Sequence, residues 1–343
     1  MFCYNYSMTY TRIGFCCKWL DTPESVDKEL NFRTTTMRWL REHKGEADQR
    51  QWDLMNHNAA AALRLVEKVG DMPEGRRMLR LGSDMLCGYT EPSWVDWWQQ
   101  REIQDHCEKI LAPVGAAARR LGVRLSFHPG QFCVLASESD EIVERSILEF
   151  EYHADMARWM GYGSSWHDHG FKINVHLSGK GGAEKFLQTL KRLSPEARNL
   201  ITIENDEVSH GLDSVLSVAE HCAIVLDIHH HWVREGEYIE RTDPRISMVV
   251  DSWRGVRPVA HYSVSREDVL VGHSPSVLPD GAQLLTEGHK KQKLRAHSNF
   301  YWNTAVNEWA LGFWPQFDIQ CESKAKNLAS FALHEQAKTL QTR

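Results

Sequence analysis

Short apolar runs in this chain repeatedly end on a metal-binding side chain. SFHPGQ reaches His128, INVHLSG reaches His176, ITIEND reaches Glu204, and IVLDIHHH reaches Asp227 and His230; PVAHYS and DIQCES follow the same rule at His261 and Glu322. Strands that all finish in His, Asp or Glu bring those groups to one rim. That pattern points to a barrel with a metal cluster at its mouth.

The runs that read as strands cover roughly 8–17, 77–85, 123–129, 171–178, 200–205, 223–229, 257–264 and 317–323. Helix-period segments lie between them: NAAAALRLVEKVG from Asn58, REIQDHCEKILAPVGAAARRLG from Arg101, EIVERSILEFEYHADMARWMG from Glu141, GLDSVLSVAEHC from Gly211 and AKNLASFALHEQAKTL near the C-terminus. In the third, Ile142, Ile147, Phe150, Ala154 and Ala157 fall close to one face. Alternating strands and helices imply parallel strands joined by right-handed crossovers. An open sheet would gather its ligands at one switch point, whereas here they come from at least six strands, so the expected fold is an α/β single (β/α)₈ TIM barrel spanning 1–343. Two stretches fall outside the alternation: 21–51, read as a long loop with a short helix, and 266–302, which carries HKKQKLRAHSNFYW. Loops of that length are usually functional or mobile.

Composition narrows the class. A 343-residue chain with 42% hydrophobic residues can bury a large core, and its formal net charge of −6 argues against coating nucleic acid by bulk charge. No run approaches the roughly 18 apolar residues that span a bilayer, and the first residues do not form a signal peptide. The expectation is a soluble cytoplasmic monomer, nucleoid-associated in a bacterium, with no membrane partner. The eight cysteines include no C-x-x-C pair, so they read as free, mostly buried thiols.

Five imidazoles (His128, His176, His230, His261, His297) and three carboxylates (Glu204, Asp227, Glu322) are too many ligands for one ion. Mixed N and O donors suit Mn²⁺, Zn²⁺ or Fe²⁺ better than Mg²⁺ or Ca²⁺. Two or three divalent ions, Mn²⁺ ahead of the others, with Glu204 bridging, would use the whole set. Paired metals are a standard device for in-line phosphoester hydrolysis, and His128, Glu204 and Glu322 are read as the catalytic ligands. Taken singly, each could be a satisfied polar residue near a strand end. Taken together, they favour the cluster.

In HPGQF, Pro129 and Gly130 force a turn that projects Gln131 and Phe132 above the strand ends, where an amide beside an aromatic can wedge into a base stack. Arg33, Arg38 and Arg41 in the first loop, and Lys290, Lys291, Lys293 and Arg295 in the second, are candidates for phosphate contacts. The plain alternative for such clusters is solvated surface.

At these residues the sequence resembles the UV damage endonuclease family, metal-dependent barrel enzymes related to endonuclease IV and the sugar isomerases. The resemblance runs through RIGFCC near Arg12, RLGSD from Arg80, LSFHPGQF from Leu125, VERSILEFEYHA from Val143, NVHLSGKGG from Asn174, IENDE from Ile203, LDIHHH from Leu226, HYSVS from His261 and ESKAK from Glu322. It implies incision immediately 5′ of a cyclobutane pyrimidine dimer or related photoproduct in double-stranded DNA. Under it, the eight ligands match the family's metal ligands, and Gln131 with Phe132 matches the pair that probes the strand opposite the lesion. Three positions depart from the family pattern. Val259 stands where the family has a carboxylated lysine, Phe132 where a tyrosine is common, and Phe15 near another tyrosine, in what would be the lesion pocket. An abasic-site endonuclease, or a sugar isomerase or epimerase of the same fold, is the competing reading.

Overall fold

The computed structural model describes residues 11–341. The expected strand residues 8–10 lie outside the described residues. Eight barrel strands are present: β1 Ile13–Cys16, β2 Met78–Arg80, β3 Arg124–Phe127, β4 Lys172–His176, β5 Ile201–Glu204, β6 Ala223–Asp227, β7 Val259–Tyr262 and β8 Asp318–Cys321. They close a barrel in sequence order. The ladders run parallel, with Ile319 facing both Ile13 and Ala260, Ala260 facing Leu226, and Ile203 facing Ile224. With both faces covered, these strands read as near-continuous apolar runs, and most of their residues are buried.

Backbone contacts gather the described residues into two compact units. Among the described residues, one unit holds 11–15, Pro73–Met78 and 202–341; the other holds Cys16–Met72 and Leu79–Ile201.

In the second unit, helix α1 (Lys44–Gly70) packs on α2 (Arg101–Leu121), and α2 packs on α3 (Asp140–Trp159). The face of α2 is set by Ile103, Cys107, Leu111, Val114 and Ala118, all buried. Pro113 interrupts this helix on its exposed side, where water can satisfy the carbonyl that the missing N–H leaves behind. Two expectations are corrected here. The segment 44–51 belongs to α1, because KGEADQRQ forms helix through propensity without an apolar period to announce it. In α3 the buried face runs through Val143, Phe150, Ala154 and Ala157, and Ile142 is exposed. The remainder of the first long loop is held down by buried Asn58. Its side chain accepts from Arg33 N at 2.8 Å and donates to Met85 O at 3.0 Å.

In the first unit, the entry to the barrel strands is tied by Asp318. Its carboxylate accepts from Arg12 N at 2.8 Å and from Arg257 Nε at 3.0 Å. Helix α4 (Ile228–Glu235) follows β6, and α5 (Lys326–Gln341) follows β8. The second long loop forms a small core of its own on α4, where Leu270, Leu284 and Leu294 pack with Trp232 and Val233. Among the described residues, no helix is long and apolar enough to cross a membrane, and the cysteines are free, six of the seven being buried.

Candidate metal centre

Consecutive strands β5 to β8 deliver Glu204, Asp227, His261 and, one residue past β8, Glu322. Each offers one ligand atom, and those four atoms lie within 4.8 Å of one another. His261 Nδ1 is 3.0 Å from Glu204 Oε1 and 3.4 Å from Glu322 Oε1. Glu204, Asp227 and His261 are fully buried.

Three carboxylates this close, out of water, repel one another strongly. Burial, then Glu204 and Glu322, push the Asp227 carboxyl well above its usual value. One oxygen of Asp227 caps α4 by accepting from His230 N at 2.7 Å. The other, Oδ2, is buried and takes no hydrogen bond, with His230 Nδ1 at 3.5 Å. A bare carboxylate oxygen among oxygen and nitrogen donors fits a divalent cation, whose charge would offset the repulsion.

His230 is buried on the first turn of α4. Its Nδ1 faces three oxygens: Asn205 O at 3.4 Å, Asp227 Oδ2 at 3.5 Å and Glu204 Oε1 at 3.9 Å. His297 stands further out, half-buried, with its ring 6.5 Å from that of His230, and it is held by a bridge to Ser265.

The segment after Glu204 is built almost entirely from side-chain bonds. Asn205 donates to Asp227 O at 2.9 Å and accepts from Asp227 N at 3.0 Å, splinting the ends of β5 and β6. Asp206 Oδ1 collects the amides of Val208 at 2.7 Å, Ser209, and His210 at 3.2 Å. Glu207, buried, pairs with Arg295 through one oxygen and lies 3.7 Å from His230 Nε2 through the other. Burial opposes its ionisation, but His230 and Arg295 outweigh that and hold the carboxyl below its usual value. Sequence reasoning missed Glu207. The only signal was a second glutamate in IENDE, and an acid in a short loop ordinarily reads as solvated.

In the other unit, β3 and β4 end at His128 and His176, whose rings lie 5.3 Å apart. His128 Nδ1 donates to Pro129 O at 2.9 Å, which leaves Nε2 as the nitrogen able to bind a cation. Behind it, Ser83 Oγ donates to His128 O at 3.1 Å and lies 2.9 Å from His153 Nε2. His153 is fully buried. Burial lowers it to about 4, against a smaller opposing effect of the Glu149 carbonyl and with some help from His128. Gln131 and Phe132 form the tip of the following turn. Both are exposed, Phe132 by 84%.

The basic groups divide by their partners. Lys290 and Lys293 are exposed and line a crevice with Arg266 and His289. Lys291 instead donates to Arg234 O at 2.5 Å, and Arg295 is committed to Glu207. Arg33 and Arg38 pair with Glu29 and Glu42, whereas Arg41 is exposed. Phe15 is corrected from a lesion contact to a packing residue. It is fully buried, its ring edge-on to Phe331 of α5. Val259 is also fully buried, in register with Asp318.

A closed parallel barrel with this donor set at its strand ends belongs to the class of barrels suited to divalent-cation chemistry. The fold is shared with solved structures. The crystal structure of SacUVDE matches with a TM-score of 0.71 at 21% identity, covering 96% of this chain and 99% of that one. Endonuclease IV from Thermus thermophilus matches at 0.52 and 14% identity, covering 82% and 95%. The chain belongs to the family described as UV-endonuclease UvdE, whose profile it matches over residues 11–342. Relatives include a UV-damage endonuclease of Neurospora crassa, 29% identical over 64% of this chain and 36% of its own length. A UV DNA damage endonuclease of Clostridium perfringens is 30% identical over 58% of this chain and 48% of its own length. A UV-damage endonuclease of Schizosaccharomyces pombe is 26% identical over 94% and 50%. The chain thus spans about half or less of the length of these relatives.

Proposed function

We propose that the chain is a DNA repair endonuclease that hydrolyses the phosphodiester immediately 5′ of cyclobutane pyrimidine dimers and related photoproducts in duplex DNA. The observation that carries this reading is the cluster of buried Glu204, Asp227 and His261 with partly buried Glu322, a donor set that calls for divalent cations in a chain of the UvdE family.

The ligand set is His128, His176, Glu204, Asp227, His230, His261, His297 and Glu322, serving two or three ions, with Mn²⁺ the first choice. Bound there, the cations supply an activated water and charge stabilisation of the leaving oxygen. The chain's own part is to hold the donors and exclude bulk water, with Glu204, His128 and Glu322 nearest the chemistry. Hydrophobic Val259 in place of a bridging lysine leaves neutralisation of the cations to the carboxylates alone. Phe132 stacks where a lesion has already weakened base stacking, and Gln131 supplies base-edge hydrogen bonds. Lys290 and Lys293 meet backbone phosphates.

The test is incision of an end-labelled duplex carrying one thymine dimer, with Mn²⁺ or with chelator, beside matched abasic-site and undamaged duplexes. Cation-dependent cutting just 5′ of the dimer is the expected result. Cutting only at the abasic site would replace the lesion class, and no cutting of any duplex would overturn the nuclease reading.

A further inference from the structure

We infer that Glu207 is the positioning residue for His230 and that Arg295 holds Glu207 in place, tying the second long loop to the metal centre through one carboxylate. The inference rests on the proposed reading of His230 as a cation ligand.

His230 Nδ1 faces oxygens at 3.4, 3.5 and 3.9 Å, a setting in which that nitrogen meets either a proton or a cation. A cation there requires a neutral ring with its proton on Nε2, and the carboxylate facing Nε2 is that of Glu207, with Oε2 at 3.7 Å, slightly longer than a hydrogen bond. An acceptor on the distal nitrogen fixes both the tautomer and the orientation of a ligating imidazole. Glu207 in turn is fixed from two sides. Asp206 pins the turn that follows it through the amides of Val208, Ser209 and His210, and the Arg295 guanidinium takes Glu207's other oxygen. Arg295 closes the short helix Lys291–Leu294, and Leu294 is buried in the small core on α4. The same loop therefore presents Lys290 and Lys293 outward and grips the ligand from within. Arg295 has an interior carboxylate to hold, and no phosphate contact is assigned to it.

The test uses the full chain and Mn²⁺ alone, with affinity read by competition against a fluorescent chelator and folding checked by thermal melting in EDTA. Glu207→Ala should bind Mn²⁺ about 10- to 100-fold more weakly. Glu207→Gln, which keeps an acceptor oxygen facing Nε2, should recover much of that loss, and Arg295→Ala should fall between them. Arg295→Ala should also leave the salt dependence of DNA binding unchanged, whereas Lys290→Ala with Lys293→Ala should make it shallower. Wild-type Mn²⁺ affinity in a folded Glu207→Ala would sink the inference alone. Absence of Mn²⁺ binding by the wild type would sink the ligand reading and this inference with it. Should Glu207→Ala not fold, Glu207→Gln and Glu207→Asp carry the decision: affinities equal to wild type in both would overturn the positioning role.

Discussion

Two segments that follow barrel strands are built in opposite ways. After β5, Asn205, Asp206 and Glu207 each spend their side chains on neighbouring backbone, a histidine or an arginine, and all three are buried. After β3, the turn is anchored at its far end by Cys133 N on Gly130 O at 3.0 Å and Val134 N on Ser146 Oγ at 2.8 Å, while Gln131 and Phe132 stand in solvent. On the proposed reading, ligand geometry that must be right before substrate arrives is over-determined, and groups that would meet a variable, deformed partner are left uncommitted. Rigidity here follows what each segment is for.

The comparison can be broken at several points. The largest effect is expected from Glu204→Gln, which should reduce incision by about 1000-fold or more and abolish the cation-induced rise in Tm. In EDTA the same variant should melt no lower than wild type, since it removes one of three crowded carboxylates; a lower Tm would mean the cluster is stable without cations. Acid should weaken the support beneath His128. His153 is neutral in the folded chain, with its pKa near 4, so its contribution is complete above about pH 6.5 and is lost as pH falls towards 4, up to about 3 kcal/mol. Denaturant unfolding between pH 7 and 4 should show that slope, and His153→Gln should flatten it.

Asn205→Ala strands the Asp227 amide and carbonyl, for an expected loss of about 2 to 3 kcal/mol in chemical denaturation. A loss below about 0.5 kcal/mol would deny the splint. On the other side, Phe132→Ala should leave Tm unchanged and reduce discrimination between damaged and intact duplex by about 1 to 3 kcal/mol, read from paired binding constants. The smallest effect belongs to Gly130, which has no left-handed backbone and open space around an added Cβ. Gly130→Ala should change stability by no more than about 1 kcal/mol, in the stabilising direction. A marked drop in lesion discrimination in that variant would show that the turn must flex to work.

The barrel, and the gathering of Glu204, Asp227, His261 and Glu322 at its strand ends, were legible because each strand is a short apolar run that ends on a distinctive side chain, so position and chemistry announce each other. Lys44–Gln51 was illegible as helix because no apolar stripe marks a segment that is polar on most of its surface. In α3 the shift from Ile142 to Val143 is one residue, about 100° of turn, and both are β-branched, so composition cannot say which faces inward. Phe15 read as a contact because strand position alone does not say which side of the barrel wall a residue faces; it points towards α5. The split among Lys290, Lys291, Lys293 and Arg295 depends on partners 57 and 88 residues away, Arg234 and Glu207, which no local pattern encodes.

Asp227 has one further consequence. Because one of its oxygens starts α4 and the other points at the cluster, the opening turn of that helix and occupation of the centre share a single carboxylate. When crowding drives a proton onto it, the cap weakens with the site. The backbone amide of His230 should therefore exchange with deuterated solvent faster in chelator than with cation bound, making a single amide a reporter of how full the centre is.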